Sequence, residues 1–362
     1  MNVLKDRRGL IISSALLAPV VLAGWWLWPH APGPTAGAKP STAPAPAAPA
    51  HAAPVVSADD TVPSPAAAKP ETPPLRRLEL TTRELEKFLA KHRRNGPSLI
   101  AAYSLTSDLR YLKEAVLQAP ELPQVALAAL ATGTEGDDAV WIKALVAADS
   151  ANPLVQYLAT LEALRRQDGQ AAFFALELAQ GLPDWDDYSA SRLQLVEEAA
   201  RDAGFSPEAA AALAAKSKEP ADMLLPKYLE LADLLGSHLS NYRHQTAEVD
   251  WMVQAALKLG QELKRDQPGR SLFLQAGGAL FQASIYQGLQ QSDPFPSLKE
   301  TPQQLAAAAT EYKQRLIELR QEFNTATWDE PEGGPEEVGF YQKKRTEGEV
   351  AALLWALARK DP

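Results

Sequence analysis

A run of apolar residues near the N-terminus constrains this chain more than any other feature. From Gly9 to Trp28 the sequence contains no charged residue. At the helical rise such a run spans roughly 30 Å, the thickness of the hydrocarbon layer of a bilayer. Trp25, Trp26 and Trp28 close the run where an interfacial aromatic belt would lie. The sequence therefore predicts a transmembrane helix at residues 9–28, through which the chain contacts the membrane.

Basic residues in front of this span predict its orientation. Lys5, Arg7 and Arg8 lie in the segment 1–8, and positive charge before a first span tends to stay in the cytoplasm. We therefore expect a signal anchor in the bacterial inner membrane, with a cytoplasmic N-terminus and a periplasmic C-terminal domain. Two alternatives stay open. A small-residue motif ending at Ala23 would make the chain a secreted protein if it were cleaved there, and the reverse topology would make the domain a cytoplasmic adaptor.

The segment 29–74 has the composition of a linker. It consists almost wholly of Ala, Pro, Ser, Thr and Gly, and many of the 29 prolines of the chain lie in it. Such a segment cannot bury a hydrophobic core, so we expect it to be disordered. Its predicted role is to hold the following domain away from the membrane, because a proline-rich linker extends at roughly 3.1 Å per residue.

The remaining segment, 75–362, carries most of the acidic excess behind the formal net charge of -9. Nucleic acid is a poor partner for such a domain, since phosphate contacts need a basic surface. The chain has no cysteine, which excludes disulfides, thiolate nucleophiles and cysteine-based metal centres. No nucleophile elbow, glycine-rich phosphate loop or dinucleotide fingerprint occurs. The sequence therefore predicts neither an enzyme nor a cofactor.

Helix signals dominate this segment, and no alternating strand pattern is found in it. Thr81 to Glu84 forms a capping box, and the stretch from Thr301 to Gln304 is expected to cap a long helix that runs to Phe323. Ser206 stands before proline and glutamate at another start, and Ser189 is expected to cap a further helix. Ala276 to Ala279 gives one helix a flat face for close packing. The predicted fold class is all-α, an array of antiparallel helix pairs in one domain over 75–362.

An internal similarity appears at an offset of thirty residues. Apolar, lysine and proline positions of one helix pair recur in the next without a gap. The aligned pairs are Tyr111 with Trp141, Leu112 with Ile142, Lys113 with Lys143, Val116 with Val146, Pro123 with Pro153, Val125 with Val155 and Ala129 with Ala159. The unit is a helix, a proline-marked turn and a second helix.

The stretch from Asn152 to Leu182 resembles a tetratricopeptide unit, with a proline-led first helix, a turn at Asp168-Gly169, and a second helix. The resemblance covers Tyr111 to Gly204 and is that of a degenerate helical repeat. In this stretch the second helix carries Ala and Phe on its expected inner face. The resemblance implies an α-solenoid, a curved stack of helix pairs whose concave surface binds peptides or proteins.

Three stretches of the sequence contain candidate sites. His238 and His244 lie near Glu248 and Asp250, which are metal-ligand types, but their spacing favours a solvated helix end. The acidic stretch 328–337 lacks the ordered spacing of a calcium loop and is predicted to be a solvated connection. Trp185 and Tyr188 lie in a loop between predicted helices. They are candidates for contact with a partner, against the alternative that they pack over helix ends.

These observations predict a membrane-anchored, periplasm-facing scaffold of helical repeats that binds a protein or peptide partner without catalysis. The alternative is an all-α periplasmic hydrolase with a metal site near His244. No catalytic, cofactor or metal residue is assigned from the sequence.

Overall fold

A computed structural model describes residues 77–134, 136–183, 185–240, 247–267, 270–289, 295–325 and 334–359. Within these ranges the chain forms α-helices and one short 3-10 helix, and no strand. The predicted all-α class is confirmed. The predicted span 9–28 and the linker 29–74 lie outside the described ranges, and no helix within those ranges is long and apolar enough to cross a membrane.

The helices follow one another through short connections. In chain order they are α1 (Thr82–Lys91), α2 (Gly96–Thr106), α3 (Leu109–Gln118), α4 (Pro123–Thr132), α5 (Asp138–Ala148), α6 (Pro153–Arg165), α7 (Gly169–Gly181), α8 (Ser189–Asp202), α9 (Pro207–Lys216), the 3-10 helix (Pro220–Leu224), α10 (Leu225–Ser240), α11 (Ala247–Lys264), α12 (Leu272–Gly288), α13 (Pro302–Thr325), α14 (Pro335–Glu347) and α15 (Glu349–Ala358).

Side-chain caps set several of these starts as expected. At α1 the amide of Glu84 donates to Oγ1 of Thr81 at 3.3 Å, and the amide of Thr81 donates to Oε2 of Glu84 at 2.9 Å. The same reciprocal pair joins Thr301 and Gln304 at α13. Ser206 caps α9. These predictions are confirmed because a capping box uses only atoms within one turn of the chain.

Two helix starts differ from the prediction. The N-cap of α8 is Tyr188, with φ of 59°, and not Ser189. Helix α14 begins at Pro335, inside the stretch 328–337 that was predicted to be a connection. Proline at the first helical position followed by two glutamates is a helix-start signal, and in this stretch the acidic composition concealed it. Residues 328–333 lie outside the described ranges.

The helix pairs related by the thirty-residue offset share local geometry. Pro123 and Pro153 both occupy the first turn of a helix, α4 and α6. The helices before them end on residues of nearly equal backbone conformation, Ala119 (φ -150°, ψ 57°) and Asp149 (φ -151°, ψ 64°). From α3 to α7 each helix packs against the next. A longer array of such pairs stays a prediction.

Beyond α7 the chain folds back on itself. Helix α8 packs on α1 and α2, the 3-10 helix on α4, α10 on α6, and α11 on α7. In a solenoid each repeat contacts only its neighbours. Here the hydroxyl of Tyr157 in α6 donates to the backbone oxygen of Ala255 in α11 at 2.9 Å. The proline-led helices α4 and α6 are thus contacted by later helices of the same chain.

Glycines let α10 and α11 each approach α12 through their backbones. A Cβ atom added at Gly278 would lie 2.8 Å from the carbonyl oxygen of Gly260, and one added at Gly288 would lie 2.6 Å from Cα of Gly236. Non-bonded atoms do not approach so closely, so any side chain at Gly278 or Gly288 would force the helices apart. The flat face predicted at Ala276 to Ala279 is therefore confirmed as a close helix contact.

Candidate functional site

The outer side of α7 carries large apolar side chains that the rest of the described chain leaves partly uncovered. Phe173, Phe174 and Leu178 are 39%, 59% and 39% exposed. The ring of Phe173 lies 4.9 Å from that of the half-buried Trp251 in α11. We call these four residues the α7 surface. Contiguous exposed aromatic groups mark interaction sites more often than isolated apolar residues do.

The α7 surface is held in place by a lysine at its C-terminal end. Nζ of Lys258, in α11, donates to the backbone oxygens of Gln180 and Leu182, each at 2.9 Å. The last carbonyl groups of a helix have no partner within the helix, and a cation there also complements the helix dipole. Helix α7 is therefore fixed to α11, and its outer side forms a preorganised surface.

The orientation of α7 corrects the sequence prediction. The tetratricopeptide resemblance implied that Ala and Phe share the inner face. Instead Ala172, Ala175 and Ala179 are buried, whereas Phe173 and Phe174 are exposed. Both sides of this helix are apolar, so the hydrophobic pattern alone does not say which side packs. The alanine side of α7 faces inward because its small side chains allow α6 and α11 to pack closely against the helix.

Trp185 and Tyr188, the candidates for contact with a partner, both make internal contacts. Tyr188 is 6% exposed and belongs to the main hydrophobic core. Trp185 packs against that core, with its ring 6.3 Å from the ring of Tyr157. Packing over helix ends, the alternative weighed from the sequence, accounts for these contacts. A partner role for the two residues stays a prediction.

Polar contacts also fix the loop that contains Tyr188. Its hydroxyl donates to Oδ2 of Asp149 at 2.7 Å and accepts from Nδ2 of Asn152 at 3.1 Å. Burial, together with the carboxylate of Asp149, raises the pKa of the Tyr188 hydroxyl, which therefore stays protonated and donates. Nδ2 of Asn152 also donates to the carbonyl of Asp186 at 2.7 Å. The sequence prediction missed this network because it joins two segments, 149–152 and 186–188, that lie more than thirty residues apart.

The predicted metal ligands are only partly described. His244 lies outside the described ranges, as does the side chain of Glu248, while His238 lies in the last turn of α10. Asp250 accepts from the amide of Ser297 at 3.2 Å. A metal site near His244 therefore stays a prediction.

Within the described ranges, His92, Glu198 and Asp202 have ligand atoms close enough to hold a metal ion, within 4.8 Å of one another. The sequence prediction did not identify this group. Nζ of Lys91 already lies between the two carboxylates, 3.0 Å from Glu198 and 2.8 Å from Asp202. Because a metal ion would have to displace this ammonium, we assign no metal site here.

The two carboxyl groups whose pKa values are raised furthest, Glu219 and Asp222, are buried where the 3-10 helix meets α8 and α12. Arg192 forms an ion pair with Glu219, with the two side chains 4% and 10% exposed. Next to it, Oγ of Ser271 donates to Oδ1 of Asp222 at 2.6 Å. Burial raises the pKa of Glu219 to about 7, despite Arg192, and that of Asp222 to about 6.

A second buried group extends this cluster toward the C-terminus. Glu349 accepts from the amide of Leu272 at 3.0 Å and forms ion pairs with Arg320 and Lys344. Against the effect of burial, Lys344 and Arg320 hold the pKa of Glu349 below its usual value. Perturbed carboxyl groups are common in active sites, but structural ion networks perturb them as well. With its charges turned inward and paired, this cluster joins helices, and we assign it no substrate.

Comparisons with known proteins identify no relative: no protein family, curated protein or solved structure matches this chain. The function proposed below is therefore argued from its own residues.

Proposed function

We propose that this chain is a membrane-tethered helical scaffold, facing the bacterial periplasm, that binds a protein or peptide partner and performs no catalysis. The α7 surface carries the proposal: Phe173, Phe174 and Leu178 are exposed side by side on a helix whose position is fixed. Aromatic side chains held rigidly at a surface supply much of the binding energy of protein interfaces, because they bury a large area at little entropic cost.

The membrane tether and its orientation rest on the sequence. Lys5, Arg7 and Arg8 precede the charge-free run 9–28, and the proline-rich segment 29–74 separates that run from the helical domain. A reporter that is active only outside the cytoplasm, fused after Pro362, tests this topology. An inactive fusion would place the domain in the cytoplasm.

We further propose that α3 to α7 form a short tetratricopeptide-like array inside the domain. The shared proline positions and the matching backbone at Ala119 and Asp149 support it. Because the proline-led helices α4 and α6 are contacted by the 3-10 helix and α10, the partner binds on the outer side of α7. This differs from the concave mode that the resemblance implies.

Crosslinking in intact cells, followed by purification of the full-length chain, tests the scaffold. We expect one recurrent protein or peptide to be captured by the wild type and lost with Phe174→Ser. Truncation of an aromatic anchor costs on the order of 2 kcal/mol of binding free energy, or about thirtyfold in affinity. Phe174 is largely exposed, so the substitution should leave the fold intact.

The matched control is Leu117→Ser, which removes an 80% exposed leucine from α3. It should leave the capture unchanged. If the partner is still captured by Phe174→Ser but is lost with Leu117→Ser, the interface does not lie on α7. If no partner is captured by the wild type, the scaffold proposal fails.

A further inference from the structure

A cavity of about 360 Å³ lies between the C-terminal end of α11 and helices α12 and α13. Lys264 enters it from α11, Gln282 from α12, and Tyr312 from α13. It adjoins a cleft of about 760 Å³ along α13, with which it shares Tyr286, Glu311 and Arg315. Volumes of this size are typical of binding sites for small molecules.

The ammonium group of Lys264 lacks an acidic partner in this cavity. Nζ donates to Oε1 of Gln282 at 3.1 Å and lies 4.6 Å from the centre of the Tyr312 ring. Within the described ranges no carboxylate forms an ion pair with it, and burial lowers its pKa. An ammonium has three protons to donate, and burying a cation without a counter-ion costs free energy. An anion in the cavity would complete the pair.

The neighbours of Lys264 are themselves fixed. Gln282 is 5% exposed, and its Nε2 donates to the backbone oxygen of Leu257 at 3.5 Å. A Cβ atom at Gly260 would collide with the side chain of Gln282, so a glycine there makes room for that side chain. The Tyr312 hydroxyl donates to Oε1 of Gln275 at 3.5 Å. The cavity therefore presents its lysine from a preorganised wall.

The remainder of the wall indicates the chemistry of the ligand. Glu311 and Arg315 lie one turn apart on α13 and pair with each other, so they cancel in charge and leave Lys264 as the unmatched cation. Leu305, Ala308 and Ala309 supply an apolar side. A ligand that satisfies both features has one anionic group and a hydrocarbon body.

We propose that this cavity binds a small organic carboxylate. The carboxylate accepts from Nζ of Lys264, and the hydrocarbon body lies against Leu305 and Ala309 and continues into the adjoining cleft. The site is separate from the α7 surface, and the proposal does not depend on the scaffold function.

Calorimetric titration of the purified full-length chain with hexanoate tests the site. We expect saturable binding by the wild type and at least about tenfold weaker binding by Lys264→Met, which keeps the length of the side chain but removes its charge-assisted hydrogen bond. The matched control is Lys313→Met, which removes a lysine of α13 outside the cavity and should change the affinity by less than about twofold. Hexanol, which has the same hydrocarbon chain without the charge, should bind at least about tenfold more weakly than hexanoate.

A second variant covers the case in which Lys264→Met fails to fold. Ala308→Trp fills the apolar side and leaves Lys264 in place, and it should abolish hexanoate binding. The proposal is overturned if the wild type shows no saturable binding, if Lys264→Met or Ala308→Trp binds as the wild type does, or if hexanol binds as tightly as hexanoate.

Discussion

The helix pairs α3 to α6 and the glycine-packed helices α10 to α12 bury their surfaces in different ways. In the pairs, large side chains such as Leu112, Ile142 and Leu145 fill the space between helices. In α10 to α12, backbones meet directly at Gly236 and Gly288. A side-chain contact relaxes when one carbon changes, whereas a backbone contact has no rotamer through which to relax. The two segments should therefore differ in tolerance to equally small substitutions.

The largest effect is expected where backbones meet. Gly288→Ala adds one carbon, which would lie 2.6 Å from both Cα and the carbonyl oxygen of Gly236. We expect a loss of about 3 kcal/mol in the free energy of unfolding, measured by urea denaturation, because the two helices must move apart. Gly181→Ala is the matched control, since both glycines end a helix and the added Cβ at Gly181 would meet no atom within 4 Å. The control should be neutral or stabilising by up to about 1 kcal/mol.

The next effect concerns the 3-10 helix, which packs against α4 on one side and α10 on the other. The pKa of Glu219 in the folded chain is about 7, above its ordinary value of 4.5. The folded state therefore binds this proton more tightly than the unfolded state does, and stability should rise as the pH falls from 8 to 5. The contribution of Glu219 is on the order of 2 kcal/mol over that range.

Thermal unfolding at a series of pH values measures this dependence. Below pH 5 the trend should reverse, because carboxylates with lowered pKa values, such as Glu349 and Asp138, lose their ion pairs on protonation. Glu219→Gln mimics the protonated side chain, so it should reduce the rise between pH 8 and pH 5 to the part contributed by Asp222, whose pKa is also raised, to about 6. An unchanged slope in this variant would show that Glu219 is not the titrating group.

The smallest effect is expected in the helix pairs. Ile142→Val removes one carbon from a core side chain that is 3% exposed, and it should cost about 1 kcal/mol in the free energy of unfolding. Val140→Ala, at a position that is 57% exposed on the same helix, should cost less than about 0.5 kcal/mol. If Ile142→Val costs as much as Gly288→Ala, the distinction between the two segments fails.

Much of the fold was predictable because its signals are local. The capping boxes at Thr81 and Thr301 fixed two helix starts, and the proline-led turns at Pro123 and Pro153 fixed two more. The start of α8 was not predictable in this way. Tyr188 takes the N-cap position with positive φ while its hydroxyl is bound to Asp149, in a different helix connection. Contacts over such separations override a local cap preference.

The candidate sites were less predictable. The exposed rings of Phe173 and Phe174 lie on a helix that is apolar on two sides, so its periodicity did not say which side is covered. The cavity around Lys264 brings together residues of three helices, and nothing near Lys264 in the sequence indicates that it lacks an acidic partner. Trp185 and Tyr188 were selected as aromatic loop residues, a criterion that does not separate exposed side chains from buried ones.

The sequence by itself determined the helical class, several helix ends and the small face of α12, because these depend on atoms within a turn or two of each other. Only the tertiary structure decided which charges are paired and which apolar side chains are covered. Among the residues that the structure describes, Arg192 forms an ion pair with Glu219 and Lys264 forms none with a carboxylate, because of how separate helices pack. The packing of the helices depends on the free energy gained by burying apolar surface along the whole chain and on the conformational entropy lost on folding. No short stretch of sequence therefore specifies it.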